Sequence, residues 1–196
     1  MRRTRALGAL VLVAALALTG CTRDKLADDY REGNNNGFIS GDGTITEIQA
    51  EKRKDPIVFS GTDENGGTVD SADLAGPVVV VNFWYASCAP CRAEAADLEA
   101  VNAEFAGQDV SFVGVNVRDQ APTAASFAAD YGITYPSIVD TDSSVQLAFT
   151  GDVPPNAVPT TIVLDREGRV ASRILGQLQE ASILSTLVGD TLAESE

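Results

Sequence analysis

The chain has 196 residues, with 28 Asp and Glu against 14 Lys and Arg, three Cys, one Met and no His. The missing His excludes Ser-His-Asp and Cys-His catalysis, His-ligated zinc and His-ligated haem, and with Met1 as the sole Met, copper sites of the Met/His kind go too. At 44% hydrophobic and a net charge of −14, the composition is that of a folded acidic protein and argues against a nucleic-acid reader.

Residues 1–20 open with Arg2, Arg3 and Arg5, continue in an apolar run from Ala6 to Leu18, and hold no acid. That run is too short for a membrane span, which needs about 20 residues, and reads as a signal peptide. Leu18-Thr19-Gly20-Cys21 resembles a bacterial lipobox, whose Cys becomes the lipidated first residue of the mature protein. Cys21 is thereby assigned to a membrane anchor. A plain signal peptide with a spare Cys and an uncleaved N-terminal anchor are the alternatives. Processing would remove three of the 14 basic residues, leaving 11 against 28 acidic ones, a net of −17. So acidic a body is poorly attracted to anionic lipid, and attachment must come from acyl chains.

Residues 21–55 are rich in Asp, Asn and Gly and poor in apolar side chains, and read as a flexible tether. As a coil, the stretch after Cys21 would have a root-mean-square span of roughly 30 Å. Within it Thr44-Ile45-Thr46-Glu47-Ile48 alternates, and an edge strand is the competing reading. Residues 56–196 suffice for one domain with a real core. Ile57–Ser60 and Gly67–Asp70 flank Thr62-Asp63-Glu64-Asn65-Gly66 as a hairpin. Pro77–Trp84 is a continuous β-branched run, predicted to be a strand covered on both faces. Glu94 to Phe105 has helical periodicity, with Ala95, Leu98, Val101 and Phe105 on one face and Gly107 as a stop. Val110–Val117 is a second buried strand, Pro122–Tyr131 and Ser143–Phe149 are helices, Thr160–Leu164 and Arg169–Leu175 are paired strands, and Glu180–Leu187 is a closing helix. The order predicts a layered α/β domain.

The chemistry concentrates in Cys88-Ala89-Pro90-Cys91, placed where the strand ends and a helix begins. Two Cys three residues apart at a helix start can close a small disulfide. The helix N-terminus, with its unpaired N–H groups and partial positive charge, would stabilise a thiolate on Cys88, the more exposed of the two. Cys91, one turn in, should be shielded and resolve the mixed disulfide. Pro90 is tolerated because the first turn needs no N–H donor there. Zinc would need two further ligands that the chain lacks. A purely structural disulfide on a non-catalytic binding module constrains little, the closed loop being so short. A thiol peroxidase is the catalytic rival; such enzymes resemble one another in a Thr three residues before the reactive Cys, where this chain has Tyr85.

Val80-Val81-Asn82-Phe83-Trp84 leading into the two Cys, Gly114-Val115-Asn116-Val117, Tyr131-Gly132-Ile133-Thr134-Tyr135-Pro136, and Val158-Pro159-Thr160-Thr161 followed by Asp165-Arg166-Glu167-Gly168 occur in one order. Together they resemble the thioredoxin fold, and within it the bacterial TlpA/ResA-like membrane-anchored thiol–disulfide oxidoreductases, over residues 56–190. The resemblance implies a central mixed sheet flanked by helices, with an N-terminal β-hairpin and a helix/strand insertion at 118–150. It implies that Cys88 attacks and Cys91 resolves, and that Pro159 is a cis-proline facing them. Val158 would offer its backbone to a docked substrate. Trp84 reads either as core or as a further substrate contact.

It also implies an extracytoplasmic, lipid-anchored monomer that reduces disulfides of secreted proteins, as in cytochrome c maturation. Electrons would come from a membrane dithiol carrier, with no metal, nucleotide or haem cofactor. Two departures stand out. Ser87 occupies a position often held by Trp. Asn82 stands where cytosolic thioredoxins resemble one another in a buried Asp, and Asn cannot take a proton. Asp119 falls where related haem-pathway members carry a functional Glu, and by that resemblance it is the candidate proton-transfer group, a solvated loop acid being the alternative; Glu94 reads as a first-turn acid favoured by the helix dipole.

Overall fold

Successive side chains of a strand point to opposite faces, and the run Val78–Trp84 uses both. Val78 and Val80 pack into one apolar cluster, Val79, Val81 and Phe83 into another. The computed structural model describes residues 44–74, 76–154 and 157–194. The expected signal peptide and the lipidated Cys21 lie outside the described residues.

The strands are β1 (Ile45–Glu47), β2 (Ser60–Thr62), β3 (Thr68–Asp70), β4 (Val78–Trp84), β5 (Val110–Asn116), β6 (Ser137–Val139), β7 (Thr160–Leu164) and β8 (Val170–Leu175). The helices are α1 (Ala89–Glu104), α2 (Ala121–Tyr131), α3 (Ser144–Ala148) and α4 (Ala181–Ala193). Six strands form one mixed sheet in the order β1-β8-β7-β4-β5-β6, and β2 pairs with β3 as a separate hairpin. β4 runs parallel to β5 and antiparallel to β7. This is the thioredoxin-like α/β arrangement. Among the described residues no helix is long and apolar enough to cross a membrane.

One face of the sheet is covered by α1 and α4 through Leu98, Val101, Leu184, Leu187 and Val188. The other is covered by Phe59 and Val69 of the hairpin region and by Val145 and Phe149 around α3. All seven residues of β4 are buried, and each fully buried Val contributes on the order of 1.5–3 kcal/mol relative to exposure. The hairpin also closes the β6 edge: Glu64 N donates to Ser137 O at 3.1 Å, and Ser137 N donates to Glu64 Oε2 at 2.7 Å. An open edge is thereby denied to other strands.

Segment 44–55 corrects the expected tether. β1 pairs antiparallel with β8, Ile45 opposite Ile174. Ile45 packs on the α1/α4 cluster and Ile48 on the other. Arg53 then folds in, its Nε donating to Ile48 O at 2.9 Å and its guanidinium reaching Asp165 at 3.0 Å and Glu194 at 2.7 Å. Two apolar side chains and one buried arginine anchor a stretch whose average composition looks too polar to fold. The other elements fall close to expectation. The hairpin sits slightly later because Asp63 Oδ1 accepts from Asn65 N and Gly67 N and so sets the turn. The last helix extends beyond Leu187 to Ala193, burying Val188 and Thr191.

Candidate active site

Strand β4 delivers the site. It ends at Trp84, and after a short turn Cys88 caps α1. Cys88 and Cys91 form a disulfide with Cα atoms 5.2 Å apart. Cys91 N donates to Cys88 Sγ at 3.1 Å, so the first sulfur occupies the place of a capping oxygen at the positive end of the helix. Arg92 N donates to Cys88 O at 3.2 Å and continues the turn. Pro90 lies in the first turn, where its missing N–H leaves no bond unmade.

Cys88 is not the more exposed cysteine in this oxidised state. Both cysteines are 3% exposed, packed with Trp84, Ala95, Ala124 and Phe127, with Tyr85, Ala86 and Val158 against them. Helix α2 of the insertion contributes Ala124 and Phe127 to the apolar cluster that holds both cysteines, and Val158 packs against it. The bond from Val158 to Pro159 is cis, as the resemblance implies. Thr160 Oγ1 donating to Ala157 O at 2.7 Å and Gly176 N donating to Pro159 O at 2.9 Å hold this loop. Pro159 is buried and Val158 half-buried.

Trp84 is a wall of the site rather than a substrate surface. It is 6% exposed and packs against Phe127, the ring centroids 4.3 Å apart and the planes tilted by 36°. Its Nε1 donates to Ser137 Oγ at 3.2 Å. A Cβ at Gly114 would collide with Ser137 Oγ and the indole nitrogen, so glycine there is what lets strand and ring meet. Behind Cys91 lies a small cavity bounded by Asn82, Trp84, Leu98, Phe127 and Ser137.

The two acids sit in settings other than those the sequence pattern suggests. Asp119 Oδ2 accepts from Ala86 N and from Asn116 Nδ2 at 3.0 Å, and Asp119 N donates to Asn116 Oδ1 at 2.7 Å. Its carboxylate therefore pins the turn before Cys88 to the insertion and makes no hydrogen bond to either sulfur. Glu94 is fully buried, not a surface acid of the first turn. Asn82 Nδ2 donates to Glu94 Oε1 at 3.0 Å and to Thr161 Oγ1 at 3.1 Å, and Leu178 N donates to Glu94 Oε2 at 2.7 Å. Burial pushes the Glu94 carboxyl up to about 7, the Leu178 and Asn82 bonds partly offsetting it, with the Asp97 charge adding a smaller push upward. The sequence signal that would have found it is its spacing: Glu94 lies three residues after Cys91, on the same face of α1.

A buried disulfide at a helix N-terminus, with a cis-proline loop against it and a carboxyl poised near neutrality, can accept two electrons and two protons to become a dithiol, and return them. The chain matches the Redoxin family over residues 40–188. It is 35% identical over 121 residues to the thiol-disulfide oxidoreductase ResA of Bacillus subtilis strain 168, covering 62% of this chain and 65% of that protein, so the match spans less than two thirds of that relative. Among solved structures it is similar to a DsbF homologue from Corynebacterium diphtheriae (36% identity, TM-score 0.68, 77% of this chain and 95% of that one). It is also similar to a secreted thiol-disulfide isomerase from Corynebacterium glutamicum (30% identity, TM-score 0.72, 80% of this chain and 97% of that one).

Proposed function

From the premise that this chain belongs to the Redoxin family, we propose that it is a membrane-tethered thiol–disulfide oxidoreductase that reduces disulfides of extracytoplasmic proteins. The observation that carries the reading is the Cys88–Cys91 disulfide at the N-terminus of α1, with the Val158–Pro159 loop packed against it. In the reduced protein the Cys91 N–H and the helix dipole favour thiolate at Cys88. That thiolate attacks a substrate disulfide, releasing one substrate thiol and leaving a mixed disulfide. A substrate strand lies along Val158, whose backbone groups hold it while Pro159, with no N–H, offers nothing that competes at the sulfurs.

Cys91 then attacks Cys88 Sγ, the second substrate thiol leaves, and the Cys88–Cys91 disulfide forms. The proton of Cys91 must go somewhere, and Asn82 cannot take it. Glu94, one turn along α1 and tied to Asn82, is the acceptor, matched to the task by its place near neutrality. Asp119 holds the turn before Cys88 in place rather than moving protons.

The tether is the lipidated Cys21, and the domain works as a monomer on the outer face of the membrane. A membrane dithiol carrier returns electrons to Cys88 and Cys91. Secreted thiol proteins such as apocytochrome c are the substrate class. Trapping tests the exchange: Cys91→Ser in cells should accumulate mixed disulfides through Cys88, and an absence of such adducts would contradict it. The reduction potential tests the direction, a strongly reducing value supporting the reductase and a value near the strong oxidants refuting it.

A further inference from the structure

The mouth of the site is unlike the rest of this acidic surface. Among the described residues, Arg53, Lys54, Arg166 and Arg169 each lie against a carboxylate. Arg92 and Arg118 form no salt bridge among the described residues, and both are exposed, Arg92 four residues after Cys88 and Arg118 against Tyr85, three residues before it. Arg92 Nη1 donates to Ala86 O at 3.1 Å, which folds its side chain back over the turn that leads into Cys88. Arg118 lies over Tyr85 with its guanidinium carbon 3.9 Å from the ring centroid. Tyr85 and Ala86 in turn pack on the cluster that contains both cysteines.

A guanidinium over a ring keeps N–H groups free to point outward, the fork that suits a carboxylate. Neither nearby acid forms an ion pair with these arginines, although Asp119 carries its charge beside Arg118 in the chain. Glu94 is fully buried, and Asp119 Oδ2 is held by Ala86 N and Asn116 Nδ2. Residues 85–93 carry Arg92 as their only charge, and residues 157–161 carry none. Building on the exchange activity proposed above, we infer that Arg92 and Arg118, with Tyr85 as platform, select substrate chains that bear Asp or Glu within a few residues of the reacting cysteine.

Two opposing effects act on such a chain. The body of the protein, at −14 overall, repels it, and the rim attracts it. At about 0.15 M salt the Debye length is about 8 Å, so distant body charges are largely screened, while the rim acts at contact. The rim wins at close range. Exposed ion pairs raise binding by up to about fivefold each, so an acidic chain should exceed a neutral one by about tenfold.

The test uses three peptides identical except for two residues on each side of one cysteine, which are Glu, Ser or Lys. Each peptide is held as a mixed disulfide with 2-mercaptoethanol. Reduced full-length protein converts each to peptide thiol and free 2-mercaptoethanol, forming the Cys88–Cys91 disulfide, and the second-order rate constant is measured for each. The expected order is acidic, then neutral, then basic, with the acidic advantage shrinking toward unity at 0.5 M salt. Arg92→Glu combined with Arg118→Glu should invert the ratio of acidic to basic rates, and a ratio taken within one variant cancels any general change in thiol reactivity. Equal rates for the three peptides, or the reverse order that the body charge alone would produce, overturn this inference while leaving the exchange activity standing. A protein that reduces none of the three overturns both.

Discussion

Two buried carboxylates, at Glu94 and at Asp165, sit in opposite electrostatic settings. Asp165 is 4% exposed and is matched by two cations, Arg53 at 3.0 Å and Arg169 at 2.8 Å, with Glu167 N and Arg169 N donating to its other oxygen. It ties the N-terminal segment to the β7–β8 turn. Glu94 is fully buried and meets only neutral donors, Asn82 Nδ2 and Leu178 N. Without a cation, burial favours its neutral form and carries it to about 7. A buried acid with cations is a fixed joint; a buried acid without them is a group that can accept and release a proton at neutral pH.

The comparison breaks most visibly at the joint. Asp165→Asn leaves Arg53, only 3% exposed along its side chain, facing a neutral group. Removing one partner of a buried pair costs about 3–5 kcal/mol, and denaturant unfolding should show a loss near the lower end, because Glu194 still pairs with Arg53. The loss should be similar in the oxidised and reduced proteins, since this joint has no part in the exchange.

Glu94→Gln should act through pH instead. With its carboxyl raised from 4.5 to about 7 in the folded oxidised protein, Glu94 contributes stability in full below about 4.5 and loses it as pH climbs through 7. A shift of that size corresponds to about 3 kcal/mol. Unfolding free energies measured from pH 4.5 to 8 should therefore fall more steeply for the unaltered protein than for Glu94→Gln, by about that amount across the window. Parallel curves would contradict the unpaired setting.

A smaller effect follows at Asn82. Its amide lowers the Glu94 carboxyl's midpoint by favouring the ionised form. Asn82→Ala should move that midpoint further above 7, by up to about one unit for a bond worth about 1 kcal/mol, as read by carboxyl carbon NMR in the oxidised protein. Smallest of all is Lys54→Ala. Lys54 is 65% exposed where it meets Asp152, and loss of such a pair should cost less than about 1 kcal/mol, which sets the joint at Asp165 apart as an effect of burial.

What could be read in the sequence follows the range of the interactions involved. The β-branched run of β4, the cysteine pair at a strand-to-helix junction and the Val158–Pro159 dipeptide before a strand are local patterns. Each stands in the structure where its pattern puts it. Glu94 was misread because its character comes from Asn82 and Leu178, which lie 12 and 84 residues away along the chain. Its position near a helix start offers a commoner explanation. Segment 44–55 reads more readily as tether than as its competing edge strand for a related reason: Arg53 looks like a solvated charge until Asp165, 112 residues on, is brought against it. Cys88 looks open until side chains of α2 and Val158 join the cluster that holds it, leaving it 3% exposed. Trp84 gives no local sign of the Phe127 ring against which it packs.

The central claim is that Glu94 takes the proton when Cys91 resolves the mixed disulfide. It is tested most directly by the rate at which a peptide thiol leaves a preformed mixed disulfide at Cys88, followed from pH 5 to 9 in single turnover. For the unaltered protein the rate should rise with a midpoint near 7, and for Glu94→Gln it should be at least about tenfold slower at pH 7, with its rise displaced to higher pH. Superimposable profiles for the two proteins would contradict the claim.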